Sequence, residues 1–192
     1  MSPARSTTRT PATEVRSSLI TAGRRLLERE GAAALTVRAV ATEAGVAPMG
    51  VYNHFDGKVG LLNAVVTDGF TEFARMIAVT DADPTERLLS SGRRYREFAL
   101  ANPTLYQLMF SVECEPDIDA ASDAFGELVE IVRYGQAAGT IRVGDAAEIA
   151  AQVWAGVHGA VSLELASTYP PIVDATRVYT ELLDLIARGI RP

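Results

Sequence analysis

At 192 residues, 48 % of them hydrophobic, the chain is long enough for one large domain or a small one plus a medium one, and apolar enough to bury a core. Pro, Gly and Ser are dispersed, which excludes extended disorder away from the ends. The net charge of −6 argues on average against a polyanionic partner, but the average conceals an asymmetry. Residues 1–60 carry eight Lys/Arg against five Asp/Glu, and the remainder carries ten against nineteen. A basic head on an acidic body suits a chain whose polyanion-binding surface is confined to one end. The single cysteine, Cys114, excludes an internal disulfide and a thiolate metal cage, and fits a reducing compartment.

In chain order, every periodic segment reads as helix and none alternates as a strand. Residues 1–12 form a Ser/Thr/Arg/Pro tail without the apolar run of a signal peptide, expected to be flexible. Arg5 and Arg9 in it read as a solvated terminus rather than a minor-groove arm. Thr10 or Thr13 is placed to cap a first helix with an apolar stripe of Val15, Leu19, Ala22 and Leu26, ending at Gly31. Thr36 caps a short helix to about Ala44, Gly45 breaks it, and a third helix runs from about Ala47 to His54. A long fourth helix opens at Asp56 or Gly57 and reaches about Val79. Pro84 or Thr85 starts a fifth, which extends to about Ala101, and Tyr106–Phe110 lie on a short sixth. Glu113–Asp119 reads as an acidic loop, followed by a seventh helix ending at Gly139. Asp145 caps an eighth, Pro170-Pro171 forces a turn, and the ninth takes residues 173–189. The apolar run Ile149–Ala166 contains Gln152, His158 and Glu164 and so reads as a buried helix, not a membrane span.

The most informative stretch is residues 36–58. Two helices crossing at a tight turn need a small residue at the crossing, a left-handed residue in the turn and a branched hydrophobe locking the second helix. Ala41, Gly45 and Val51 supply these, with Val40, Val46 and Phe55 completing the underside. The second helix then exposes Pro48, Met49, Tyr52 and Asn53, with Gly50 permitting close backbone approach.

The run Tyr52-Asn53-His54-Phe55, followed by Lys58 and Leu61-Leu62, resembles the signature of the tetracycline-repressor (TetR) family, as does the preceding Arg29–Val46 stretch. The resemblance spans about residues 13–73. It implies an all-α protein of about nine helices: a helix-turn-helix DNA-binding domain over 13–60 and a ligand-binding and dimerisation bundle over 61–192. By the same resemblance Thr36 touches phosphate, Val37 and Arg38 approach the groove, and Ala47, Pro48, Met49 and Gly50 face base edges. Tyr52, His54 and Lys58 hold phosphates, while base readout rests on Arg38, Asn53, contacts of Met49 and Pro48 with thymine methyls, and DNA shape. Ala47 stands where the family usually has Ser or Thr, so the recognition helix lacks its side-chain cap. Core packing of Tyr52 and local satisfaction of His54 at a helix end remain open alternatives.

In the C-terminal part Phe70, Tyr95, Phe98, Tyr106, Met109, Phe110 and Phe125 suit either a helical core or a ligand cavity, and composition does not separate the two. Trp154 and His158 share one face of the most apolar helix. His158 is there either a core histidine bonded to a backbone carbonyl or a ligand contact. The run Val153–Leu165 resembles the Trp-x3-His-Gly pattern of one C-terminal subclass of the family, the WHG domain. That resemblance implies a helix bordering a cavity on one side and a partner subunit on the other. Gly156, Gly159 and Ala160 would admit close helix packing, and Val178, Leu182 and Leu185 on the amphipathic last helix complete a four-helix dimer interface.

These readings converge on a cytoplasmic, homodimeric transcription regulator. It is expected to be a repressor released from a two-fold duplex operator by a small, largely apolar effector, with no cofactor, metal or membrane partner. No paired histidines, phosphate loop or nucleophile set supports an enzyme. A constitutive architectural DNA binder, or a ligand-binding module with an inert head, are the alternatives.

Overall fold

The computed structural model describes residues 11–112 and 114–192, which form nine α-helices and one short 3-10 turn, with no strand among them. They divide into two compact units, one up to residue 66 and one from residue 67 on.

The first unit holds α1 (Ala12–Glu30), the 3-10 turn Ala32–Ala34, α2 (Val37–Glu43), α3 (Met49–His54) and the start of α4 (Gly57–Ile77). Helix α1 buries Leu19, Ile20, Ala22, Gly23, Leu26 and Leu27, the stripe read from its periodicity. Gly23 allows the tightest approach in this unit: a Cβ there would lie 2.9 Å from Val65 Cγ2. The start of α1 corrects one expectation. Pro11 occupies the N-cap with no side-chain hydrogen bond, so Thr13 is already helical and caps nothing. Thr10 and the tail up to it lie outside the described residues.

The second unit continues α4 and adds α5 (Pro84–Ala101), α6 (Pro103–Met109), α7 (Ile118–Ala137), α8 (Ala146–Leu165) and α9 (Ala175–Gly189). Aspartate sets four of the starts. Asp83 accepts a hydrogen bond from the Glu86 amide at 2.7 Å, Asp117 from Asp119 at 2.9 Å, Asp145 from Ala147 at 2.8 Å and Asp174 from Arg177 at 3.1 Å. Each such cap contributes about 1 kcal/mol. Because Asp117 caps α7, Ile118 and Asp119 are helical rather than the last residues of the expected loop.

One core of this unit gathers Leu128, Val129 and Val132 of α7 with Ile149, Ala150 and Val153 of α8 and Ala187 of α9. Arg96 of α5 adds a polar tie: its guanidinium donates to both carboxylate oxygens of Glu164 on α8, at 2.6 and 2.8 Å, and to Thr176 Oγ1 at 3.0 Å. The Arg96 side chain is 19 % exposed and that of Glu164 16 %, so the paired, bidentate geometry is what makes these two charges tolerable there. No described helix is long and apolar enough to cross a membrane.

Candidate DNA-reading surface and ligand cavity

The α2–turn–α3 element is built as its residue types require. The Thr36 hydroxyl accepts from the Ala39 amide at 3.2 Å, which fixes the start of α2. Gly45 takes φ +69°, the left-handed conformation the turn needs, and the Val46 amide closes back on the Ala41 carbonyl at 2.9 Å. Val40, Ala41 and Val51 are fully buried and Phe55 nearly so, which locks the pair from beneath, whereas Val46 is only half-buried. The Arg16 guanidinium lies 5.3 Å above the Phe55 ring.

Everything assigned to DNA contact lies outside that core. Thr36, Arg38, Ala47, Pro48, Asn53 and Lys58 are surface residues, Met49 is 65 % and Tyr52 60 % exposed, and Val37, Gly50 and His54 are at least partly accessible. Core packing of Tyr52 is thereby excluded. Helix α3 has no side-chain cap: Pro48 precedes it, and the first turn closes only through the Ala47 and Pro48 carbonyls. Arg29 on α1 pairs with Glu43 on α2 at 3.1 Å. Its hydrogen bond holds the Glu43 carboxyl below the usual range, although a pair this exposed contributes little stability.

In the second unit an apolar cavity of about 250 Å³ opens between α4, α5, α7, α8 and α9. Five of the residues expected at a ligand line it: Phe70, Tyr95, Phe110, Phe125 and Trp154. The other four do not. Phe98, Tyr106 and Met109 are 0 %, 2 % and 4 % exposed and belong to the core, and His158 stands behind the wall. Sequence reasoning missed Ser91 and Gly92 of α5, and Leu183 and Ile186 of α9. The Ser-Ser-Gly run inside an otherwise helical pattern was the available signal for the first pair, since weak helix formers there imply a packing reason. A Cβ on Gly92 would lie 2.4 Å from Leu183 Cδ2, and the Tyr179 hydroxyl donates to the Gly92 carbonyl at 2.7 Å, so α5 and α9 meet there.

His158 has a different partner set from the expected backbone carbonyl. Its Nδ1 lies 2.8 Å from the Tyr106 hydroxyl and 3.0 Å from that of Tyr95, and the two hydroxyls are 2.8 Å apart. The Trp154 indole N–H donates to the Tyr95 oxygen at 3.3 Å, the longest contact of the four. Burial lowers the pKa of His158, and burial pushes that of Tyr95 up to about 12, so both are neutral near pH 7.

The expected interface residues divide in two. Ala160 is buried, and a Cβ on Gly156 would lie 2.9 Å from Ile186 Cδ1, so both face the chain's own packing rather than open surface. Gly159 has nothing within 4 Å of its Cβ position, and Leu163, four residues on, is 48 % exposed. On α9 Leu185 is 58 % exposed, and Val178 and Leu182 are half-buried.

Two family profiles match the chain: "Bacterial regulatory proteins, tetR family" over residues 19–65, and "Tetracyclin repressor-like, C-terminal domain" over residues 88–186. The chain belongs to the TetR family. It is therefore a helix-turn-helix transcriptional regulator, and the first match encloses the α2–turn–α3 element while the second covers most of the cavity wall. Among relatives of this TetR family regulator, an HTH-type transcriptional regulator of Mycobacterium tuberculosis is 26 % identical, over 81 % of this chain and 82 % of its own. A second from the same organism is 28 % identical, over 94 % and 83 %. A solved protein of unknown function from Rhodococcus sp. RHA1 superposes with a TM-score of 0.83 at 28 % identity, covering 98 % of this chain and all of its own.

Proposed function

We propose that this TetR family chain is a cytoplasmic, homodimeric repressor that leaves a two-fold duplex operator when a small, largely apolar effector enters the cavity. In this reading residues 13–60 hold DNA and 61–192 hold effector and partner. The observation that carries it is the continuity of α4, which bears Lys58 in its first turn and Phe70, Phe73 and Ile77 of the cavity wall farther along. A ligand that displaces those three side chains acts on the same helix that presents the phosphate-holding lysine. By linkage, such a ligand favours release only if it binds the DNA-incompetent conformation more tightly than the DNA-bound one.

The DNA-contact roles assigned to Thr36, Val37, Arg38, Ala47, Pro48, Met49, Gly50, Tyr52, Asn53, His54 and Lys58 are supported by their accessibility around a buried underside. Dimerisation is supported by the outward apolar stripe of Gly159 and Leu163 on α8 with Val178, Leu182 and Leu185 on α9. The deciding experiment titrates duplexes from the DNA flanking the gene, by fluorescence anisotropy, and then adds apolar ligands to the complex. Two related half-sites about one turn apart, roughly 34–36 Å, and release by a ligand that also perturbs Trp154 fluorescence are expected. Binding that no cavity ligand relieves would favour a constitutive regulator.

A further inference from the structure

The described residues of the cavity wall include no charged side chain; their polar members are Ser91, Tyr95 and Trp154. We propose that it takes an uncharged ligand bearing one hydrogen-bond acceptor, held by the indole N–H of Trp154. This deepens the effector reading above and rests on it.

Charge is excluded by what surrounds the space. A carboxylate would meet no arginine, lysine or backbone amide cluster to replace its water. A cation would find the rings of Phe70, Phe110 and Trp154 but, among the described residues, no carboxylate, and stripping water from an ammonium costs several times what a ring returns. Neither Tyr95 nor His158 supplies a charge near pH 7, since burial raises the one pKa and lowers the other.

The preference for an acceptor follows from the one group of this network whose hydrogen-bond direction is fixed. The Trp154 indole N–H can only donate, whereas the Tyr95 and Tyr106 hydroxyls and His158 Nδ1 share protons among themselves, and Tyr106 has the Ser162 hydroxyl as a further partner. The hydroxyls are committed inward at 2.8 Å, whereas the Trp154 bond is 3.3 Å, beyond the usual N–H···O range. Trp154 lines the cavity, is 37 % exposed and is a donor only, so within this network it is the group that can turn to a ligand at least cost. Tyr106 and His158 touch no ligand and act as positioning residues that hold Tyr95. The cavity volume, about 250 Å³, falls below the roughly 300–1,000 Å³ of common ligand sites, so the ligand is small.

The test uses the full chain and four matched probes by isothermal titration calorimetry: benzylacetone, butylbenzene, hydrocinnamate and phenylpropylammonium. The ketone should bind about five-fold more tightly than the hydrocarbon, the worth of one ordinary hydrogen bond. The two charged probes should not bind at concentrations that saturate with the ketone. In Trp154→Phe the ratio of ketone to hydrocarbon affinity should fall to near unity. Equal affinity of ketone and hydrocarbon for the wild-type chain, a charged probe binding as well as the ketone, or no binding by any probe would each overturn the proposal. Operator release is scored separately. A ketone that binds with the expected preference yet leaves the operator complex intact upholds the site chemistry and rejects the effector reading.

Discussion

The Tyr106 hydroxyl and His158 Nδ1 lie 2.8 Å apart although 52 residues separate them in the chain. Tyr106 is 2 % exposed, so this oxygen has no access to water that could replace its partners. The pair joins α6 to α8 beside the cavity, and its loss should be felt as stability. His158→Ala removes a partner shared by two buried tyrosine hydroxyls and is expected to cost about 1–3 kcal/mol in urea unfolding. Adding Tyr106→Phe should then cost less than it does in the wild-type chain, since its bond to His158 is already gone. Strict additivity of the two substitutions would show that they do not act through each other.

The same histidine predicts a pH dependence. Burial holds His158 below its ordinary value of 6.5, and Tyr95 and Tyr106 facing it remain neutral. Below that ordinary value the unfolded chain therefore binds more protons than the folded one. Stability should fall as pH drops through this range and stop falling once pH passes beneath the folded-state value. Thermal unfolding of wild type and His158→Phe at several pH values checks this: the wild-type profile should lose stability on acidification more steeply than the variant, and parallel profiles would remove His158 as the cause.

Two glycines on one helix should separate folding from association. Gly159→Leu points into open space in the single chain, so it should leave monomer stability near wild type while blocking the partner in sedimentation velocity. Gly156→Leu drives a side chain into Ile186 and should cost about 1–3 kcal/mol of stability whatever the oligomeric state. A stable Gly159→Leu dimer of unchanged affinity would move the interface elsewhere.

Lys58 is exposed at the first turn of α4, so its removal should not disturb folding. Lys58→Ala should weaken binding to all duplexes alike and flatten the slope of log affinity against log salt by about one unit, the effect of leaving one phosphate unneutralised. An unchanged slope in a salt titration would remove Lys58 from the phosphate-binding set.

The head was legible in the sequence because its geometry is local: Thr36, Gly45 and Val51 act within one another's reach along the chain, and each residue type has one structural use there. The helix starts at Asp145 and Pro84 were readable for the same reason. The cavity was not, because Phe98 and Phe70 are the same residue type on similar helical faces, and only the packing of distant helices decides which one borders a void. His158 shows the limit sharply. Its helix-mate Trp154 was identifiable from spacing, but Tyr95 and Tyr106, which determine its hydrogen bonding, come from α5 and α6. The amphipathic character of α9 was visible, yet which of its residues turn inward depends on Gly92 accommodating Leu183.

A wall of hydrocarbon and aromatic side chains with few polar groups limits what a ligand site of this kind can distinguish. Within an apolar enclosure one methylene more or less changes affinity by only about 1–3 kcal/mol, and no buried polar group is left stranded when an analogue lacks a substituent. Discrimination among uncharged molecules of similar bulk is therefore shallow, while rejection of ions is steep. In the effector role proposed above, such a site would report the arrival of a chemical class rather than of one compound. Its breadth can be narrowed by a single new polar side chain among the residues around Phe125.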